Sequence, residues 1–216
     1  MKVIEPSVIH HIQNGVLEGK DIESYTKRYH EVNYLYEKQR EDDPIVYEVY
    51  SYSKGKDILG NLNWGLTVLK PVYSHNECNM TKGHFHVNKD CAEIYFGIAG
   101  VGLLLLMDEE GHTWAEKVYE GSLHHIDGRI AHRLVNTGDE DLKVGACWPT
   151  SAGHDYHAIE KREFYEFQLA EIDRVNPQLE EDVKLEEEYK KLFNAGKIKD
   201  KILDSNIQLR DGEFNA

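Results

Sequence analysis

The sequence predicts a mainly-β fold, an antiparallel sandwich or barrel carrying helical segments at both ends. Three observations predict it. Residues 44–149 hold repeated short runs rich in β-branched and aromatic side chains. Turn signals separate these runs, and no helical pattern lies between them, which excludes a doubly wound nucleotide-binding sheet. Ahead of this middle region, apolar residues recur at spacings of three and four rather than two.

The first element is read from Asp21 to about Arg40, where Ile22, Tyr25, Tyr29, Val32 and Tyr36 fall on one face of a helix. Such a tyrosine-rich face packs on a sheet, and Asp43-Pro44 ends the helix. Strand-length runs follow at Ile45–Tyr50, Trp64–Leu69, Ala92–Ile98, Gly102–Met107 and Leu142–Trp148. Turn signals stand between them at Lys54-Gly55-Lys56-Asp57, Asp108–Gly111, Asp127-Gly128 and Asn136–Asp139. The charged tail around Glu180–Tyr189 is read as helix, with acidic residues outward and Val183, Leu185, Tyr189 and Phe193 as contacts. The expected organisation is an N-terminal helical segment over 1–43, the barrel over 44–156 and a C-terminal helical extension over 157–216, all one structural domain.

The 216 residues include 39 acidic and 25 basic side chains, a net charge of −14. That balance argues against a nucleic-acid partner, which needs cationic side chains against its phosphates, and against an anionic membrane surface. The N-terminus lacks the apolar core of a secretory signal, and the longest apolar run, Gly102–Met107, is far too short to span a bilayer. Cys78, Cys91 and Cys147 have no metal-binding spacing. A cytoplasmic protein with reduced cysteines is expected.

Histidine is over-represented, at 12 residues. In Gly83-His84-Phe85-His86 the two histidines are two apart, so an extended chain points both imidazoles to one side and Phe85 to the other. Glu93 follows at the head of a strand, and His132 lies on a later short strand. His84, His86, Glu93 and His132 together make a metal site of three imidazoles and one carboxylate. By the same alternation Tyr95 points the way Glu93 does. His10-His11 and His124-His125 match no ligand spacing and are read as structural or surface residues.

These motifs resemble those of cupin barrels, a double-stranded β-helix of jelly-roll type. Within them the chain resembles the archaeal-type, metal-dependent glucose-6-phosphate isomerases. Asp43–Tyr50, Thr81–His86, Ala131–Glu140 and Ala152–Tyr156 carry the likeness, which covers roughly residues 40–160. Six residues separate His86 from Glu93, as in that isomerase family, where other cupins have three or four. Two departures stand out. The turn before His132 reads Ile126–Ile130 without proline, and Trp148 occupies the place of a substrate-pocket tyrosine.

The resemblance implies interconversion of glucose 6-phosphate and fructose 6-phosphate around one divalent ion per subunit, Fe2+ or Mn2+, with Zn2+ or Ni2+ as substitutes. It implies catalytic roles for Glu93, Tyr95 and His154, and substrate contacts from Tyr50, Thr67, Thr81, Gly83, Trp148 and Tyr156. Lys82 adds charge there unless strand alternation turns it outward. It also implies a homodimer acting on a small sugar phosphate. Proton transfer through an enediol and a metal-assisted hydride shift are both open. So are two other uses of the same barrel: a dioxygenase and a non-catalytic sugar-binding protein.

Overall fold

The computed structural model describes residues 1–11, 14–55 and 58–157, all within the unit Met1–Glu163. The strands are β1 (Val8–His11), β2 (Val16–Gly19), β3 (Ile22–Arg28), β4 (Ile45–Ser53), β5 (Leu62–Leu69), β6 (Tyr73–Ser74), β7 (Glu77–Cys78) and β8 (Phe85–His86). They continue as β9 (Glu93–Ala99), β10 (Val101–Met107), β11 (Thr113–Tyr119), β12 (Leu123–Ile126), β13 (Ala131–Asn136), β14 (Leu142–Pro149) and β15 (His154–Asp155). Six of them form one antiparallel sheet in the order β12-β9-β14-β5-β4-β3, and three form another in the order β11-β10-β13. β8 pairs with β15, and single bridges at Met80–Val135 and His84–His132 join the chain before β8 to β13.

The main core contains residues of both sheets. Val46, Tyr47, Leu69, Leu142 and Val144 of the six-stranded sheet cluster with Leu104, Leu106, Val118 and Leu134 of the three-stranded one. β10 shows the required alternation, with Gly102, Leu104 and Leu106 buried and Val101 and Leu105 exposed. The large sheet is covered on its second face as well. There Leu66, Val68 and Ile98 pack with Leu17 and Val8 of the β1–β2 hairpin. Burial on both faces explains why β5 reads as a nearly continuous apolar run rather than an alternating one.

Two buried asparagines tie one end of the barrel together. Asn79 donates from Nδ2 to the carbonyls of Val46 and Lys70 and accepts from the Tyr36 hydroxyl at 2.9 Å. Asn136 donates to the carbonyls of Leu69 and Glu140 and accepts from the Gly138 amide. The Val46 and Lys70 carbonyls also accept the Lys70 and Val72 amides, so Asn79 gives each a second donor.

The helix expected over Asp21–Arg40 is not formed. Residues 22–28 are β3, the edge strand of the large sheet, and only short 3-10 turns follow at Tyr29–Glu31 and Asn33–Leu35. The physical reason is the free edge of β4, whose ladder β3 completes from Ile22–Tyr52 to Arg28–Ile45. The β-prone residues Ile22, Tyr25 and Thr26 gain those bonds, and tertiary pairing overrides the local period. Part of that period survives: Tyr29, Val32 and Tyr36 are all buried in the main core. Since β3 belongs to the large sheet, the sheet begins ahead of residue 44. The expected C-terminal helices fall outside the described residues. Among those residues no helix is long and apolar enough to cross a membrane.

Candidate active site

The site begins at Gly83. Its φ of +74° suits glycine, and a Cβ there would lie 3.1 Å from the His132 carbonyl and 3.0 Å from Arg133 Nε. This close approach lets His84 and His132 exchange backbone hydrogen bonds of 3.2 and 3.1 Å. Two imidazoles distant in sequence are thereby set with ring centroids 4.3 Å apart. Phe85 turns the other way and packs with Ala131 and Met107, so His86 returns to the side of His84. Glu93 opens β9, its carboxylate buried with only 3% of its surface exposed.

The buried side chains of His84, His86, Glu93 and His132 can each offer a ligand atom, all within 4.8 Å of one another. His86 donates from Nδ1 to the Cys91 carbonyl at 2.6 Å. A carbonyl only accepts, so in neutral His86 the proton sits on Nδ1 and Nε2 carries a lone pair. That lone pair faces Glu93 Oε2 at 3.1 Å. His132 Nε2 also lies 3.1 Å from Glu93 Oε2, but without hydrogen-bond geometry, and its Nδ1 faces the Ile130 carbonyl at 3.2 Å. His84 Nε2 is buried with no hydrogen-bond partner.

Lone pairs converging on a carboxylate require positive charge between them. Titration directions agree. Burial disfavours charge on both His86 and Glu93, yet it is outweighed: contact with Glu93 and the Cys91 carbonyl raises the His86 pKa, and contact with His132 and then His86 lowers that of Glu93. Burial, reinforced by the neighbouring imidazoles of His132, His154 and His86, pushes His84 well below its ordinary value, so it stays neutral and able to donate a lone pair. Two orphaned imidazole nitrogens, a third held in the ligand tautomer and one anionic carboxylate fit a divalent cation.

A cavity opens from this cluster. Tyr95 lies on the Glu93 side of β9, its ring edge-on to His132 at 5.5 Å. Burial, with the Glu93 charge behind it, lifts the Tyr95 phenol well above its ordinary range, so it remains a neutral hydroxyl. His154 pairs with His86 in the β15–β8 ladder, and its ring lies 4.3 Å from that of His84. The cavity is also lined by Thr67, Thr81, Gly83, Trp148 and Tyr156. Thr81 Oγ1 accepts the Leu134 amide at 3.0 Å, which leaves the hydroxyl proton to be donated. Trp148 lies across Gly65, where a Cβ would come within 2.8 Å of the indole.

Tyr50 does not reach this cavity. It packs on the outer face of the large sheet with the Leu66 and Val68 cluster, and its hydroxyl approaches Glu48. Tyr47 and Val49 line the cavity in its place. Alternation makes residues 47 and 49 share a face that residue 50 cannot. Strand β4 is apolar on both faces, so the sequence did not reveal the phase. Tyr25 was missed because its segment was read as helix, and it too lines the cavity. Lys82 lines it as well, with Nζ 5.2 Å from the centre of the Tyr156 ring. Elsewhere, His124 is buried between Glu116 and Ser122, and His10 accepts the Trp64 indole N–H at Nδ1, so both serve packing.

Three histidines and a glutamate gathered inside a two-sheet antiparallel barrel define a barrel of the cupin kind with a group that could hold a metal ion. The chain belongs to the glucose-6-phosphate isomerase (GPI) family, whose model matches residues 26–184. The glucose-6-phosphate isomerase of Thermococcus litoralis is 39% identical over 135 residues, covering 62% of this chain and 70% of that protein. That of Pyrococcus furiosus is 35% identical over 167 residues, covering 74% and 86%. Among solved structures, an oxalate oxidase superposes with a TM-score of 0.43 at 14% identity, over 55% of this chain and 59% of that one.

Proposed function

We propose that the protein interconverts glucose 6-phosphate and fructose 6-phosphate as a metal-dependent aldose–ketose isomerase. The observation that carries this reading is Glu93, an anionic carboxylate buried against His86 and His132 beneath an open cavity lined by hydroxyls. His84, His86, His132 and Glu93 would hold one divalent ion per subunit, and mixed nitrogen and oxygen ligands favour Fe2+ or Mn2+. When bound, the ion supplies Lewis acidity that polarises the sugar's C1 and C2 oxygens.

The rest of the chemistry belongs to side chains. Glu93 takes the proton from one carbon and returns it to the neighbouring one. Its burial excludes water and keeps the carboxylate beside the cavity. Tyr95, neutral and two residues along the same strand face, donates a hydrogen bond to the oxygen that gains charge. His154, open to solvent on its outer side, moves protons at the ring oxygen as the cyclic sugar opens. Thr67, Thr81 and Gly83 give the phosphate neutral donors, with Tyr156 and Trp148 completing the wall.

A coupled dehydrogenase assay tests the reading. Turnover of glucose 6-phosphate that vanishes with chelator and returns with Fe2+ or Mn2+ is expected, and no turnover by metal-loaded protein would overturn it. Running the reaction in deuterated water separates the routes: solvent deuterium enters the product by proton transfer and is absent after a hydride shift. The protein acts as a cytoplasmic homodimer in this reading. Exposed Val101 and Leu105 on β10, with Tyr119 opposite Val101 on β11, support an apolar face that a second copy covers. Light scattering on the purified protein reads the mass directly.

A further inference from the structure

Strand β3 brings one side chain into the cavity that no motif marks. Tyr25 sits opposite Val49 in the β3–β4 ladder, and Val49 and Tyr47 both line the cavity, so register alone puts Tyr25 on the cavity face. Its phenol interacts with that of Tyr156, whose ring lies 5.3 Å from the ring of His84. Lys82 Nζ stands over the same Tyr156 ring, and Lys82 brings the one cationic side chain, histidines apart, among the described residues lining the cavity. Tyr25 thus stands with the hydroxyl of Tyr156 and the ammonium of Lys82 in a wall suited to an anionic oxygen-rich group.

The same side chain does little for the core. Tyr25 is 47% exposed on an edge strand, and it belongs to neither of the two large apolar clusters, although its strand neighbour Ile22 packs into one of them. A tyrosine that leaves half its surface in water while turning into a cavity is placed for contact with a ligand rather than for packing. The stretch that matches the isomerase family begins at residue 26, so Tyr25 stands just outside it.

We propose that Tyr25 is a substrate-binding residue, contributed by the N-terminal edge strand, whose hydroxyl contacts the phosphate-bearing end of the sugar phosphate beside Tyr156 and Lys82. The proposal rests on the isomerase reading above. Tyr25 would make the cavity mouth partly a product of β3 rather than of the barrel motifs alone.

Two measurements test it. In metal-loaded protein, Tyr25→Phe keeps the ring and removes the hydroxyl. The expected result is a KM for glucose 6-phosphate raised about 10-fold, equivalent to about 1.4 kcal/mol, with kcat within about twofold and melting temperature and metal content unchanged. An unchanged KM in this folded variant overturns the proposal, and so does a parallel loss of kcat, metal and thermal stability, which marks a structural role. The second measurement needs no variant. Wild-type protein is nitrated with tetranitromethane and mapped by mass spectrometry, with and without glucose 6-phosphate. Protection of Tyr25 but not of Tyr119, itself 55% exposed, supports the contact, and equal nitration of Tyr25 in both samples overturns it. Wild-type turnover in the same preparation separates the two ideas: normal turnover with an unaffected Tyr25 sinks this inference, whereas absent turnover sinks the isomerase reading itself.

Discussion

His86 is held from both sides of its ring: Nδ1 donates to the Cys91 carbonyl at 2.6 Å, and Nε2 faces Glu93 Oε2 at 3.1 Å. The first contact assigns the tautomer, and the second points the remaining lone pair at a carboxylate. A backbone carbonyl five residues along the chain therefore fixes the neutral tautomer in which this imidazole could serve a metal as ligand.

Glu93→Gln keeps the shape of the side chain and removes its charge. A fall in turnover of at least about 100-fold is expected, within the range for loss of a general base. Metal content read by plasma mass spectrometry then separates the two roles of Glu93. Metal retained while activity is lost favours proton transfer, whereas metal lost together with activity assigns Glu93 chiefly to ligation.

His132→Ala removes a candidate ligand and also one of the two rings that lie 4.3 Å from that of His84. Metal affinity should fall by at least about 10-fold, and added Mn2+ should restore activity only at raised concentration. Wild-type affinity in the variant, measured by competition with a chelating dye, would remove His132 from the ligand set.

Gly65→Ala puts a Cβ where the indole of Trp148 now lies, 2.8 Å from the nearest ring atom. The indole must shift within the cavity while the four metal ligands stay in place. KM should rise by about 3- to 10-fold, corresponding to about 1 kcal/mol of lost binding, with metal stoichiometry unchanged. Calorimetric titration with glucose 6-phosphate checks the binding loss without relying on turnover.

Asn79→Ala strips partners from the Val46 and Lys70 carbonyls and from the Tyr36 hydroxyl. The Val46 and Lys70 carbonyls keep the Lys70 and Val72 amides as donors, so the variant loses three hydrogen bonds worth about 1 kcal/mol each and should fall by about 1–3 kcal/mol in urea denaturation. An effect below about 1 kcal/mol would mean that water replaces all three bonds.

Alkali acts at the same place. Burial, ahead of any charged neighbour, pushes the Tyr36 phenol up to about 12. In the unfolded chain the hydroxyl releases its proton from about pH 10, while the folded protein still retains it. Stability is therefore full below pH 10 and declines as pH rises from about 10 to about 12, by roughly 1.4 kcal/mol per unit. Unfolding curves between pH 9 and 11.5 check the sign. Tyr36→Phe should remove its share and make the decline shallower, the phenols of Tyr25, Tyr47, Tyr95 and Tyr156, also raised by burial, accounting for the rest.

The cluster that could hold a metal was legible in the sequence because its spacing is largely local. His84 and His86 share a strand face by simple alternation, and Glu93 heads the next strand after a gap of fixed length. The turn-separated apolar runs likewise determined an antiparallel barrel. Three things were left to the tertiary structure. Whether residues 22–28 were helix or strand depended on the free edge of β4, a partner that no local period reports. Whether Tyr47 or Tyr50 entered the cavity depended on the phase of a strand packed on both faces, where apolar character no longer marks inside from outside. The pairing of His84 with His132 depended on Gly83 letting two distant segments meet at backbone distance. Local spacing set the ligands; contacts between segments remote in sequence set the walls around them.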